Sequence, residues 1–122
     1  MDTFAHKGSL KSKYGKTVAV LANGLASGDI YPKENLNLVN DIIENGGAIV
    51  SEYMVGVKSK KYYFPIRNRI VSGLADKVLV VEAGEKSGTL ITVRTCIRAR
   101  KRYICSASVC LFIQLQKVRI YL

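Results

Sequence analysis

"TVAVLANGLASGDIYPKENLNLVNDIIENGGAIVSEY", from Thr17 to Tyr53, carries a strand, a helix and a second strand in order. It opens with a short apolar, β-branched run that stops at Asn23 and Gly24, as a buried parallel strand does where it runs into a turn. Pro32 then suits a helix start. Leu36, Leu38, Val39, Ile42 and Ile43 recur near the helical period, and Gly46 and Gly47 end the segment. "AIVSEY", beginning at Ala48, reads as a second short strand. A strand, a helix and a strand joined by short connections make the repeating unit of a parallel sheet.

Working outward, the alternation continues. The loop "MVGVKSKKYYFP" leads into "IRNRIVSGLA", a predicted helix that starts at Ile66. "KVLVVEA" is the clearest buried strand in the chain, and "SGTLITVRTCIRA" opens with small polar residues suited to a helix N-terminus. Upstream, "DTFAHKGSL" is helical, and its His6 is expected to be a hydrogen-bonded structural histidine. The expected fold is α/β, a Rossmann-like parallel sheet with helices on both faces, and 122 residues suit a single domain. In such sheets ligands sit outside the carboxyl ends of the strands. "NGLASGD", "SEYMVG" and "EAGEKSGT" should therefore line one edge.

Bulk properties narrow the function. The apolar fraction of 48% is ordinary, and no window approaches the roughly 18 uncharged apolar residues of a membrane helix. "MDTFAHKGSLKSKYGK" has neither a long apolar core nor a cleavage site, so a cytoplasmic protein without membrane association is expected. Three cysteines, Cys96, Cys105 and Cys110, crowd the last third; the odd number suggests reduced, mostly buried thiols rather than a disulfide framework. With no C-x-x-C pair and a single histidine, neither a metal nor a cofactor is expected. The net charge of +10 favours a polyanionic partner.

Two segments carry the chemistry. Gly84, Ser87, Gly88 and Thr89 follow a strand and precede a helix. Their amides and hydroxyls suit a phosphate at the positive helix end, and Ser87 suits a plain helix cap equally well. In the second segment, Lys58, Lys60 and Lys61 precede Tyr62, Tyr63 and Phe64, and Arg67 and Arg69 follow. Aromatic faces stack on unpaired bases while neighbouring cations meet phosphates, the combination used by single-strand binders. Tyr62 and Tyr63 are expected to staple the loop to the core. Cations at a helix start oppose the dipole, so Arg67, Asn68 and Arg69 call for compensation by a bound phosphate or by a carboxylate such as Glu52 or Glu82, with at least one arginine assigned to a carboxylate. No Ser, His and Asp arrangement supports catalysis.

Six ordered blocks, "DTFAHKGSL", "GKTVAVLANGL", "YPKEN", "ENGGAIVSEY", "FPIRNRIVSGLAD" and "VLVVEAGEKSGTLIT", resemble the DNA-processing protein A (DprA/Smf) family over about the first hundred residues. The resemblance implies a non-enzymatic protein that binds single-stranded DNA, forms a homodimer and loads the RecA recombinase in natural transformation and recombination. It places Lys61 on the DNA backbone and Phe64 on a base, with Lys60, Arg67, Asn68 and Arg69 beside them. Gly24, Ser87, Gly88, Thr89 and Thr92 complete an anion-binding rim. The chain departs from the family pattern in three ways. It starts after a Gly-Ser-Arg segment, "GLASGDIYP" is two residues longer than the usual spacing, and the tail carries the cysteines in place of an acidic residue and a Pro-Gly. The expected division is a partial Rossmann-like domain over 1–103 and a divergent tail over 104–122, the product of a truncated or frameshifted gene, with native dimerisation weakened or replaced. The alternatives are a phosphoribohydrolase-like, nucleotide-binding enzyme and an inactive fragment. The enzyme's Gly-Gly-x-Gly-Thr turn is followed closely by a glutamate, whereas "SGTLITVR" offers Arg94.

Overall fold

In a computed structural model of the chain, residues 3–80, 88–98, 100 and 102–105 are described. The elements in order are α1 (Thr3–Leu10), β1 (Val18–Leu21), a 3-10 turn (Lys33–Asn35), α2 (Leu36–Glu44), β2 (Ala48–Ser51), α3 (Tyr63–Leu74), β3 (Lys77–Val80), α4 (Thr89–Arg98) and β4 (Arg102–Cys105). This is the expected mixed α/β architecture with parallel strands. The chain divides into two compact units, Met1–Arg67 and Asn68–Leu122, with α3 running through the division.

In the first unit β1 and β2 pair in parallel, with Val18 opposite Ala48 and Leu21 opposite Ser51. The connection between them contains α2, which is the crossover that parallel pairing demands. Leu38, Val39 and Ile42 of α2 pack with Ala19 and Leu21 of β1 and with Ile30 to form the core. Leu10, Leu36 and Ile49 close around them. Ile43, expected on the same apolar face, is 55% exposed, because one residue step turns it about 100° away from Ile42. Pro32 is the cap of the 3-10 turn rather than the first residue of α2, so the helix proper begins at Leu36. At its other end the Asn45 side-chain amide donates to the Asp41 carbonyl at 2.8 Å. Gly46 adopts φ +72°, a left-handed conformation that glycine enters without a Cβ penalty.

α1 forms where the sequence predicts a helix. His6 Nδ1 lies 2.7 Å from the Thr17 hydroxyl, which ties the helix to the approach to β1 and gives the histidine the structural role expected of it.

In the second unit β3 and β4 pair in parallel, Lys77 with Arg102 and Val80 with Cys105, and α4 packs on them. Val80, Val93 and Cys96 are buried there, Cys96 as a free thiol. The expectation for β3 needs correcting. Leu79 is 69% exposed and Ile104, its register partner, 55% exposed, so only one face of this pair is covered, and β1 is the more deeply buried strand. β4 was not anticipated, and it occupies 102–105, on both sides of the expected 103/104 division. Cys110 and the rest of the tail lie outside the described residues. Among the described residues no helix is long and apolar enough to cross a membrane.

Candidate nucleic-acid interface

At the carboxyl ends of β1 and β2 the chain leaves in two loops, 22–32 and 52–62, and the fold fastens them together. The Ser51 hydroxyl donates to the Asn23 carbonyl at 2.6 Å and accepts from the Tyr53 amide at 3.0 Å. The Asn23 side-chain amide donates to the Gly24 carbonyl at 2.9 Å. The Gly24 amide donates to the Val57 carbonyl at 2.7 Å, and the Asp29 carboxylate accepts from the Gly56 amide at 2.7 Å. Two of the three segments expected at one sheet edge therefore meet there. Of the third, residues 82–87, with Glu82, Gly84 and Ser87, lie outside the described residues.

Gly24 has a structural part in joining the two loops. A Cβ at that position would lie 2.5 Å from both the Asp29 carboxylate and the Met54 carbonyl. Its amide is used by Val57, and an acidic oxygen stands beside it, so the position takes part in loop closure.

The second loop ends in an aromatic cluster. Tyr53 and Tyr63 stack with ring centroids 4.2 Å apart, and Tyr62 meets Tyr63 edge-on at 4.6 Å. The Lys60 ammonium lies 5.9 Å from the Tyr62 centroid and 5.8 Å from that of Tyr63, within cation–π range. Tyr63 thus staples the loop as expected, whereas Tyr62 remains 56% exposed. The hydrogen bond from Tyr63, aided by Lys60, lowers the Tyr62 phenol below the ordinary tyrosine value, and burial works against it. The same bond raises Tyr63, and the Tyr62 oxygen raises Lys60.

α3 begins at Tyr63, three residues before the predicted start. Pro65 falls in its first turn, where the missing amide hydrogen would have no helical partner in any case, so the proline fits inside the helix. Arg67, Asn68 and Arg69 are consequently more than one turn from the end, and the helix dipole disfavours them less than the sequence suggests. Arg67 is compensated by a neutral group. Its guanidinium donates to the Val20 carbonyl of β1 at 2.9 Å, while its Nε finds no hydrogen-bond partner. Burial lowers its pKa. Neither Glu52 nor a phosphate is needed for that contact.

Lys61 is exposed ahead of the helix, and Phe64, its second residue, is half-buried. Phe64, Arg67 and Asn68 share the half-buried side of α3, whereas Arg69 lies about 140° around the axis from Phe64 and is exposed. The expected DNA-binding residues of α3 therefore occupy two faces. In the second unit α4 starts at Thr89, with Gly88 in the turn just before it and Thr92 one turn in. The sequence reading did not single out Tyr53 or Tyr31. Their place in the two loops, behind strand ends, is the signal that would have found them.

The chain matches the family model described as DNA recombination-mediator protein A over residues 1–112. It is 45% identical over 97 residues to Protein Smf of Escherichia coli, covering 80% of this chain and 25% of that protein. To the DNA processing protein DprA of Streptococcus pneumoniae it is 46% identical over 100 residues, covering 81% of this chain and 33% of that protein. The X-ray structure of DNA processing protein A from Streptococcus pneumoniae superposes with a TM-score of 0.73 at 37% identity, over 85% of this chain and 35% of that one. The chain thus spans about a quarter to a third of the length of these curated relatives.

Proposed function

This chain belongs to the DNA recombination-mediator protein A family, and from that premise we propose that it is a non-enzymatic module that binds single-stranded DNA and serves its transfer to a RecA recombinase in recombination and natural transformation. The observation that carries this reading is the cluster behind β2: a lysine over two tyrosines, one of them largely open, followed directly by exposed Lys61. Unpaired bases expose the faces that such rings accept, and a duplex hides them. The +10 net charge attracts the phosphates.

In this reading Lys60, Lys61 and Arg69 meet the DNA backbone, and Phe64 and Asn68 approach a base. Arg67 acts mainly as the tie between α3 and β1. At the start of α4, Gly88, Thr89 and Thr92, with Ser87 before them, form an anion-binding rim. The work is done in the cytoplasm, and it requires no cofactor.

The test is fluorescence anisotropy of labelled single-stranded and duplex oligonucleotides over a salt series. A single-strand preference that persists at moderate salt supports the reading. Equal, weak binding to both that disappears with salt would reduce the charge to nonspecific attraction.

A further inference from the structure

The two fastened loops enclose a cleft of about 320 Å³ in the first unit that none of the roles above uses. Gly28, Ile30 and Tyr31 line it from one loop, Lys33 from the 3-10 turn, and Lys58 and Ser59 from the other loop. Its volume is at the lower end of the range for small-ligand sites, about 300 to 1,000 Å³, and matches something the size of one nucleotide rather than an extended molecule. The lining combines what such a unit requires. Tyr31 is 58% exposed and offers an aromatic ring, two lysines from different segments supply cations, and the Ser59 hydroxyl can donate or accept. Asp29 is the one acidic lining residue, its carboxylate accepting from the Gly56 amide, and the two lysines outnumber it, so the lining is net cationic.

We propose that this cleft is a nucleotide subsite in which Lys33 and Lys58 hold a phosphate of a single strand and Tyr31 stacks on its base. The inference rests on the single-strand reading above and extends it to a second place on the surface. Lys58 and Lys60 are two residues apart, so their backbones are separated by no more than about 7 Å. A strand leaving the cleft at Lys58 therefore arrives directly at the Lys60, Tyr62 and Lys61 group. The subsite favours unpaired nucleotides, because stacking on Tyr31 needs an open base face.

The experiment measures binding of a labelled oligothymidylate by anisotropy, over a salt series, for the full chain and for Tyr31→Ala, Tyr31→Phe, the double variant Lys33→Ala/Lys58→Ala, and Lys61→Ala. Circular dichroism melts confirm that each variant folds. Tyr31→Ala is expected to weaken binding about tenfold, within the range for one base-aromatic stack, and Tyr31→Phe to keep the parent affinity. The double variant is expected to lower the slope of log K against log salt by roughly 0.7, for the one phosphate that is no longer neutralised. If Lys61→Ala weakens binding while the cleft variants match the parent, the subsite is refuted and the single-strand reading stands. If the parent itself does not bind the oligonucleotide, the reading fails and the subsite fails with it.

Discussion

Lys61 and Phe64 are three residues apart, and in the proposed single-strand reading they would contribute to binding through different forces. Phe64→Ala removes a stacking surface and should weaken single-strand affinity by about 1 to 3 kcal/mol with an unchanged salt slope. Lys61→Ala removes the cation proposed to meet the DNA backbone and should flatten the slope by roughly 0.7. Anisotropy in several salt concentrations separates the two, and unchanged affinity in both variants would move the site elsewhere. The tyrosines provide a test that needs no DNA. The Tyr63 hydrogen bond is the largest cause lowering Tyr62, so Tyr63→Phe should raise the Tyr62 pKa toward the ordinary phenol value. A pH titration of isotope-labelled tyrosine rings by NMR reads this directly, and an unmoved Tyr62 would mean that the bond does not form in solution.

At the scale of elements, two ties between distant segments hold α3 and the two loops in place. Arg67 of α3 reaches the Val20 carbonyl across 47 positions of sequence. Arg67→Ala should cost about 1.5 to 3 kcal/mol of unfolding free energy in urea, the usual scale for a hydrogen bond from a charged donor. Lysine at this position cannot reproduce the planar fork and should recover only part of the loss. The second tie is the closure at Gly24. A methyl group there would press on the Met54 carbonyl and the Asp29 carboxylate, so Gly24→Ala should destabilise the fold by about 1 to 3 kcal/mol, measured by the same titration. A Gly24→Ala protein of parent stability that had lost only anion binding would restore the role expected from the sequence and overturn the loop-closure assignment.

For the molecule as a whole, charge and extent matter most. A net charge of +10 makes association with any polyanion steep in salt, so only the difference between single strand and duplex at matched salt reports on the site. The chain covers about a quarter to a third of its relatives, and the dimer and RecA interactions implied by the family resemblance are proposals for this chain. The altered tail should weaken or replace family-like dimerisation. Sedimentation velocity over a concentration series is expected to show no tight dimer, and a tight one would refute this.

The sequence by itself determined the alternation of strands and helices, the parallel class and the family. These depend on local periodicity, on stops such as Gly46, and on ordered blocks, all of which are written in neighbouring residues. It missed the early start of α3, because Pro65 reads as a breaker until it is placed in the first turn. It also misread β3, since an apolar run does not reveal whether one face or both are covered. Tertiary structure alone decided that the Gly24 amide belongs to Val57, that Arg67 is answered by a main-chain carbonyl, and that Tyr53 stacks on Tyr63. It alone brought Lys33 and Lys58 into the lining of one cleft. Each of these depends on how two loops close over the ends of β1 and β2. That closure is set by hydrogen bonds between residues far apart in sequence, which leave no periodic trace along the chain.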